Sequence, residues 1–253
     1  MKRMVAGRRL LLCGLGLVLL LAGIGSVSAQ IPDEFENLKV LPKDISKRDL
    51  VAAMRSFAGA LGVRCTYCHV GETPGSLEGV DFATDKLEEK KTARVMMKMV
   101  TQINEELLPK TGRESLVQVR CVTCHRGIEE PESLDHLLLE VIEEDGVDAA
   151  AAKYGELREK YYGKGSYAFG PGTLNSVAET LARERSDPDG AITLMKLNVE
   201  ANPDAVFSHM MLGQLHFMKG DQEAAVTSIE RALELEPDNQ RAKQMLERMR
   251  SSE

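Results

Sequence analysis

The same arrangement of cysteine and histidine occurs twice in this chain. The sequence reads RCTYCHVG from Arg64 and RCVTCHRG from Arg120, so Cys-x-x-Cys-His is present at residues 65–69 and 121–125. Only one further cysteine, Cys13, is found in the 253 residues. A fold for this chain must therefore present two separate pairs of thiols, each followed at once by an imidazole.

The first 29 residues have the pattern of a secretory signal peptide. Four basic residues precede an apolar stretch from about Leu10 to Ile24, and small residues at 27–29 precede Gln30. The apolar stretch is short for a membrane span, and no second candidate follows it. We therefore predict export to the periplasm, with Cys13 removed together with the signal peptide and no transmembrane segment in the mature protein.

The predicted mature chain is acidic. Removal of four basic and no acidic residues lowers the formal net charge from −7 to −11, with 28 basic residues against 39 acidic ones. An acidic chain without basic tracts is not attracted to nucleic acid or to an anionic membrane surface. The composition thus predicts no nucleic-acid partner, and it would favour a basic redox partner.

Three kinds of site use paired cysteines. A thioredoxin-like redox pair needs a βαβ pattern, which is not visible here. A four-cysteine zinc site would not explain the histidine after each pair, and an oxidising compartment disfavours free thiolates. Covalent haem attachment explains both features, because the thiols bind the haem vinyl groups and the imidazole becomes the proximal iron ligand. We predict two haem c groups held by these residues: Cys65, Cys68, Cys121 and Cys124 as thioethers, and His69 and His125 as proximal iron ligands.

Each pentad is preceded by a predicted helix that carries methionine. The first helix should begin at Ser46 and stop at Gly62, with Met54 in the middle of its apolar face. The second helix has Met96 on its apolar face, with Met99 adjacent. A methionine on such a face is usually only part of a core, but the recurrence before both pentads favours thioether ligation of iron. Met54 and Met96 are the predicted distal ligands, with Met99 as the alternative to Met96.

Four stretches of sequence, in this order, resemble the photosynthetic reaction-centre cytochrome c subunit family: NLKVLP, CTYCHVG, KTARVMMKMVTQIN and CVTCHRG. The resemblance covers about residues 37–127. It implies that each haem lies parallel to the helix supplying its axial methionine, here Met54 and Met96, and that the paired haems are close enough for rapid electron transfer. Reaction-centre members of the family carry four haems, whereas this chain has motifs for two. Photosynthesis does not carry over from the resemblance.

The C-terminal half has helical periodicity and no cysteine. Residues 134–162 predict two helices broken at Asp145-Gly146, followed by a Gly-rich connection. The stretch SHMMLGQLHFMKGDQEAAVTSIERALELEPDN resembles one tetratricopeptide unit, with a partial copy before it and a polar capping helix after it. Pro203 and Pro237 are expected to begin the helices that follow them. Such repeats often bind proteins, but an array this short would also serve simply to pack on the haem domain.

Three histidines lie outside the pentads. His136 is an alternative ligand for the second haem, although a partly exposed helix histidine is the interpretation we favour. His209 and His216 belong to the repeat pattern and are predicted to be structural.

These patterns together predict an all-α protein in four parts: a signal peptide (1–29), a dihaem cytochrome c domain (30–132), a helical connector (133–165) and a tetratricopeptide-like repeat domain (166–253). The predicted function is electron relay between a redox donor and a redox acceptor protein, bound through the repeat domain or within a membrane electron-transfer complex, and not enzymatic catalysis. Two alternatives remain: a peroxidase-like haem enzyme with an open distal site, and a repeat-based assembly protein with accessory haems.

Overall fold

The computed structural model describes residues 31–73 and 76–251, and these residues form an all-α protein, as predicted. The helices are α1 Lys47–Leu61, α2 Glu88–Gln102, α3 Cys121–His125, α4 Leu134–Asp145, α5 Val147–Tyr161, α6 Pro171–Arg183, α7 Pro188–Ala201, α8 Val206–Met218, α9 Gln222–Leu235 and α10 Gln240–Arg250. The described residues contain no strand, only an isolated antiparallel bridge between Val70 and Asp81. The predicted signal peptide and Cys13 lie outside the described residues.

The limits of α1 follow from its terminal residues. Ser46 Oγ accepts a hydrogen bond from the Asp49 amide at 3.2 Å, which satisfies one of the free N–H groups of the first turn. Gly62 ends the helix in the left-handed conformation, with φ +72°, and its amide donates to the Ala58 carbonyl. Both predicted ends of this helix are confirmed.

The second helix is less regular than the sequence suggests. After Gln102 it continues into a π-helical turn, Ile103–Leu107, and then a 3-10 turn, Leu108–Thr111. A π turn accommodates an extra residue and changes the register of the residues that follow. The regular α-helical spacing therefore ends at Gln102, and Asn104 lies within the π turn.

The C-terminal helices form three successive pairs, α4/α5, α6/α7 and α8/α9, with α10 packed on α9. Gly213 permits the close approach of α8 and α9, because a Cβ there would lie 2.8 Å from Ile229 Cδ1. The break at Gly146 and the predicted helical-hairpin arrangement are both confirmed. The prolines are a correction: Pro203 and Pro237 lie in the turns before α8 and α10 and do not begin those helices. At α10 the start is set by Asn239, whose side chain caps the Ala242 amide.

The apolar core is concentrated in the C-terminal part of the chain. One cluster of buried side chains runs without interruption from α4 to α8, and a second joins α8, α9 and α10. Among the described residues before Leu134, only three apolar side chains are buried: Leu50, Ala60 and Ile128. The segment that carries both pentads therefore has almost no apolar core of its own. Within residues 31–73 and 76–251, no helix has the length and apolar character needed to cross a bilayer.

Candidate haem-binding sites

Both pentads adjoin the last turn of α1. The first forms a single 3-10 turn that begins at Cys65, four residues after Leu61, and the second forms the short helix α3. The Gly127 amide, just after the second pentad, donates to the Ala60 carbonyl at 2.8 Å. None of the four described cysteines is in a disulfide bond, and all four are exposed or partly exposed. The fold therefore brings two pairs of accessible thiols to one helix end.

The approach of α1 to the second pentad depends on glycine. A Cβ on Gly62 would lie 2.2 Å from the Gly127 carbonyl oxygen, well inside van der Waals contact. Gly62 also has a positive φ, which a side chain disfavours. This contact joins the end of α1 directly to the turn that follows His125.

His125 is oriented by a backbone hydrogen bond. Its Nδ1 lies 3.1 Å from the Ile128 carbonyl oxygen, and the Ile128 amide donates back to the His125 carbonyl at 3.0 Å. A carbonyl oxygen can only accept, so Nδ1 carries a proton, and in the neutral ring the lone pair is then on Nε2. This is the arrangement that metal-binding imidazoles usually have, with one nitrogen held by the protein and the other directed to the metal.

His69 has a different environment. Its Nδ1 is buried and has no hydrogen-bond partner among the described residues, and its ring packs on Phe82 with centroids 5.0 Å apart. Burial lowers the pKa of His69, and the positive charge of Lys90 lowers it further. Both effects favour the neutral imidazole, which is the form that binds a metal.

The loop beside His69 is tied to α2 by a buried lysine. Lys90 Nζ donates to the carbonyl oxygens of Phe82 and Thr84, both at 2.8 Å, and the residue is buried. Three bonds to backbone oxygen leave this ammonium group paired in spite of its burial. Lys90 thus holds the loop that packs on His69.

Asp85, at the end of the same loop, joins three parts of the chain. Its carboxylate accepts hydrogen bonds from Asn37 at 2.8 Å, from Arg94 at 2.8 Å and from Lys39. Sequence reasoning assigned none of these residues a role, although Asn37 and Arg94 lie within two of the stretches that carry the family resemblance. Their contacts fix the segment before α1 and the loop beside His69 to α2.

The environment of Asp85 predicts that the stability of the fold decreases in acid. The hydrogen bond from Lys39, reinforced by Arg94 and Asn37, holds the pKa of this carboxyl well below its usual value. A carboxyl with a depressed folded-state pKa stabilises the fold above its unfolded pKa of about 4, and this stability is lost as the pH falls toward the folded pKa. We expect the free energy of unfolding to decrease below about pH 4, and the Asp85→Asn variant to lose this part of the pH dependence.

Urea unfolding at several pH values between neutrality and strong acid would measure the effect. The control is Asp189→Asn, which removes an exposed ion pair with Lys219 far from the pentads. A pH profile of Asp85→Asn identical to that of the unaltered protein would contradict the prediction.

Asn104 positions the chain entering the second pentad. Its side-chain amide donates to the Val119 carbonyl and accepts from the Val119 amide, both at 2.8 Å. This two-way contact fixes the backbone two residues before Cys121. Asn104 is another residue that sequence reasoning missed, because its partner is fifteen residues away and the π turn that directs it was not foreseen.

The candidate distal ligands lie on the two longer helices of this region. Met54 is half-buried on α1, which packs against α3. Met96 and Met99 are 40% and 45% exposed on α2, three residues apart and hence neighbours on one helix face. Exposure does not discriminate between Met96 and Met99, so the choice between them stays a prediction.

The other histidines already have partners. His136 is exposed at the start of α4 and bonds the Glu132 carboxylate, with Glu140 at 3.7 Å, so these neighbours raise its pKa. His209 is buried and its Nε2 lies 2.9 Å from the Pro203 carbonyl oxygen, while buried His216 pairs with Asp221 at 3.2 Å. Each of these contacts is local to the C-terminal helices.

Comparison with known proteins shows the family. A family model described as photosynthetic reaction centre cytochrome C subunit matches residues 24–153, just over half of the chain. The chain belongs to this family. A photosynthetic reaction center cytochrome c subunit of Roseobacter denitrificans is 36% identical over 105 residues, which are 40% of this chain and 26% of that protein. Cytochrome c-554 of Chloroflexus aurantiacus is 35% identical over 70 residues, which are 28% and 15% of the two chains.

This member of the family therefore spans about a quarter or less of the length of the curated relatives it matches. Two solved tetratricopeptide domains are also similar in part: the first TPR of Spaghetti (RPAP3) bound to an HSP90 peptide, and the Sgt2 TPR domain from Aspergillus fumigatus. They are 21% and 16% identical, cover 47% of this chain and 89% and 76% of their own, and have a TM-score of 0.33. A similarity this low carries no argument about partners.

Membership in a cytochrome c family implies covalently bound haem, and the residues present fit that group. The four thiols are accessible, and His125 has a free Nε2. Around α2, apolar side chains are exposed that a large flat cofactor would cover, among them Met96, Met99 and Leu107. The scarcity of buried apolar side chains before Leu134 agrees with a segment completed by a bound cofactor.

Proposed function

We propose that this protein is an exported dihaem cytochrome c that relays electrons between two redox proteins. The observation that carries the proposal is the placement of two Cys-x-x-Cys-His pentads against the same helix end, in a segment with almost no apolar core. Each pentad would bind one haem through its two thiols, with its histidine on the proximal side of the iron. Two covalent sites around one helix end favour transfer between the haems.

Haem supplies a one-electron couple between ferrous and ferric iron, and the residues around it would determine its reduction potential. The Ile128 carbonyl orients the His125 imidazole, while Phe82 packs on the His69 imidazole and is itself held by a hydrogen bond from Lys90. Met54 and Met96 would complete the coordination as neutral thioethers, which favour ferrous iron more than a second imidazole does. With a histidine and a methionine held by the protein as its ligands, each iron would need little reorganisation on electron transfer.

The partners we propose are a redox donor and a redox acceptor protein, in the periplasm. The relatives are named as cytochromes, one of them a reaction-center subunit, so docking to a membrane electron-transfer complex is consistent with the family. The acidic mature chain would favour a partner with a basic surface.

Counting covalent haems tests this function. The full chain, produced in a host that exports and matures c-type cytochromes, should keep its haem in a denaturing gel. Its intact mass should exceed that of residues 30–253 by two haems. A Cys65→Ala/Cys68→Ala double variant should keep one haem, because the sites are separate covalent events, whereas Cys13→Ala should change nothing in the mature protein.

Extractable haem, or four titratable thiols, would contradict the proposal. Carbon monoxide binding to the reduced protein at one haem would show an open distal side, and the function would then be that of a haem enzyme.

A further inference from the structure

The turn after the second pentad joins the haem region to the C-terminal helices. Arg126 and Gly127 are both in the left-handed region, with φ +49° and +87°, so the chain reverses direction at once after His125. This reversal returns the Ile128 carbonyl to within 3.1 Å of His125 Nδ1. The orientation of the imidazole therefore depends on the geometry of two residues with unusual backbone angles.

A single peptide group in this turn is held from both sides. The peptide group is the one that links Arg126 to Gly127. Its N–H, the Gly127 amide, donates to the Ala60 carbonyl on α1 at 2.8 Å. The carbonyl of the same peptide accepts a hydrogen bond from Ser166 Oγ at 2.7 Å. Because both polar groups are engaged, this peptide cannot rotate without breaking one of the two bonds.

Ser166 is part of the C-terminal core and not a loosely attached surface residue. It is 2% exposed and lies in the connection between α5 and α6. The residues after it are held by ring contacts: Tyr167 packs on Tyr161 at 5.4 Å, and Phe169 packs on Tyr154 at 5.7 Å. The position of its hydroxyl group is therefore set by the helices that follow the haem region.

We propose that Ser166 is a positioning residue for the proximal histidine of the second haem. By fixing the peptide between Arg126 and Gly127, Ser166 fixes the Ile128 carbonyl and so the strength of its hydrogen bond from His125. The proposal rests on the proposed function and extends it: the C-terminal helices tune the second haem and leave the first unaffected.

The direction of the effect follows from the chemistry of the imidazole. A strong hydrogen bond from Nδ1–H increases the electron donation of the ligand, and this stabilises ferric iron. Without the Ser166 hydroxyl the turn loosens and that bond weakens. The second haem should then become easier to reduce.

The experiment compares Ser166→Ala with the unaltered full-length protein carrying both haems. In a redox titration, the equilibrium constant for reduction of the second haem should rise by about threefold to tenfold, the latter corresponding to about 59 mV for a one-electron couple. The electron paramagnetic resonance signal of that ferric haem should shift, and the first haem should keep its values. Repeating the titration in a Cys65→Ala/Cys68→Ala background assigns the wave that moves.

Ser208→Ala is the matched control. Ser208 is also a buried serine of the C-terminal helices, with its Oγ donating to Asn175 Oδ1 at 2.9 Å, but it is remote in sequence and in contacts from the pentads. We expect this variant to lose stability without moving either potential, and Ser166→Thr, which retains the hydroxyl group, to stay close to the unaltered protein.

A second-haem potential that is unchanged in Ser166→Ala, or that moves equally in Ser208→Ala, would overturn the proposal while leaving the electron-relay function intact. If the unaltered protein carried no haem on Cys121 and Cys124, the proposed function would fail first, and the role of Ser166 would fall with it.

Discussion

Replacing Met96 by alanine is expected to convert the second haem from a six-coordinate low-spin centre to one that binds carbon monoxide. The thioether is the soft neutral ligand that we assign to the distal side, and alanine offers no atom to replace it. The ferric absorption spectrum should lose its weak near-infrared sulfur-to-iron band. Carbon monoxide binding at this haem should rise from undetectable to stoichiometric.

Met99→Ala is an unusually close control for this experiment. Met96 and Met99 are three residues apart on α2 and similarly exposed, so the two variants remove the same side chain from the same helix face. If Met99→Ala opens the second haem to carbon monoxide and Met96→Ala does not, the distal ligand is Met99. The assignment to Met96 would then be wrong by almost one helical turn.

Replacing Met96 by histidine tests the same ligand assignment through the reduction potential of the second haem. Met96→His should remain six-coordinate and low-spin, but the potential should fall by on the order of 0.2 V, within the range of ~0.8 V that axial ligands span. Imidazole stabilises ferric iron better than a thioether does, which sets the sign. Met54→His should have the same effect on the first haem alone, and an unchanged potential in both variants would contradict methionine ligation.

Replacing Gly62 by alanine should have the largest effect of any single small substitution in the haem region. The new Cβ would lie 2.2 Å from the Gly127 carbonyl oxygen, and a backbone atom cannot move aside as a flexible side chain can. The positive φ adds backbone strain of about 1–3 kcal/mol, and overpacking adds about 1–3 kcal/mol more. We expect the free energy of unfolding of this region to fall by about 2–6 kcal/mol, with the second pentad displaced from α1.

Gly59→Ala is the control for this variant. Gly59 lies on the same helix, three residues earlier, and a Cβ there meets nothing within 4 Å. Alanine in a helix interior is more favourable than glycine by about 0.8–1.0 kcal/mol, so Gly59→Ala should be neutral or stabilising. Denaturant unfolding followed by haem absorbance measures both variants, and equal stability of Gly62→Ala and the unaltered protein would show that α1 does not contact the turn as described.

The features that were predicted correctly are local ones. Ser46 and Gly62 set the ends of α1 through bonds to residues three or four positions away. The break at Gly146 likewise depends on the residues next to it in the chain. Such features depend on residue type and spacing, so they can be predicted before any tertiary contact is known.

The features that were missed are contacts between distant segments. Asp85 meets Asn37 across 48 residues, and Ser166 meets Arg126 across 40. Nothing in the spacing of these residues indicates the contacts, because the turns that bring them together are decided by packing. The π turn at Asn104 belongs here too, since its side chain is directed to a backbone partner on the far side of a loop.

The chemistry of the site was evident from residue order, because the two thiols and the imidazole of each pentad are neighbours in the covalent chain and need no fold to be adjacent. How the two pentads lie relative to each other was not evident. It depends on Gly62 passing within contact of Gly127, 65 positions later, and on Ser166 closing the same turn from the opposite side. Sequence spacing constrains atoms only over a few residues, whereas the approach of two backbones depends on contacts between distant residues, such as the bond from the Gly127 amide to the Ala60 carbonyl.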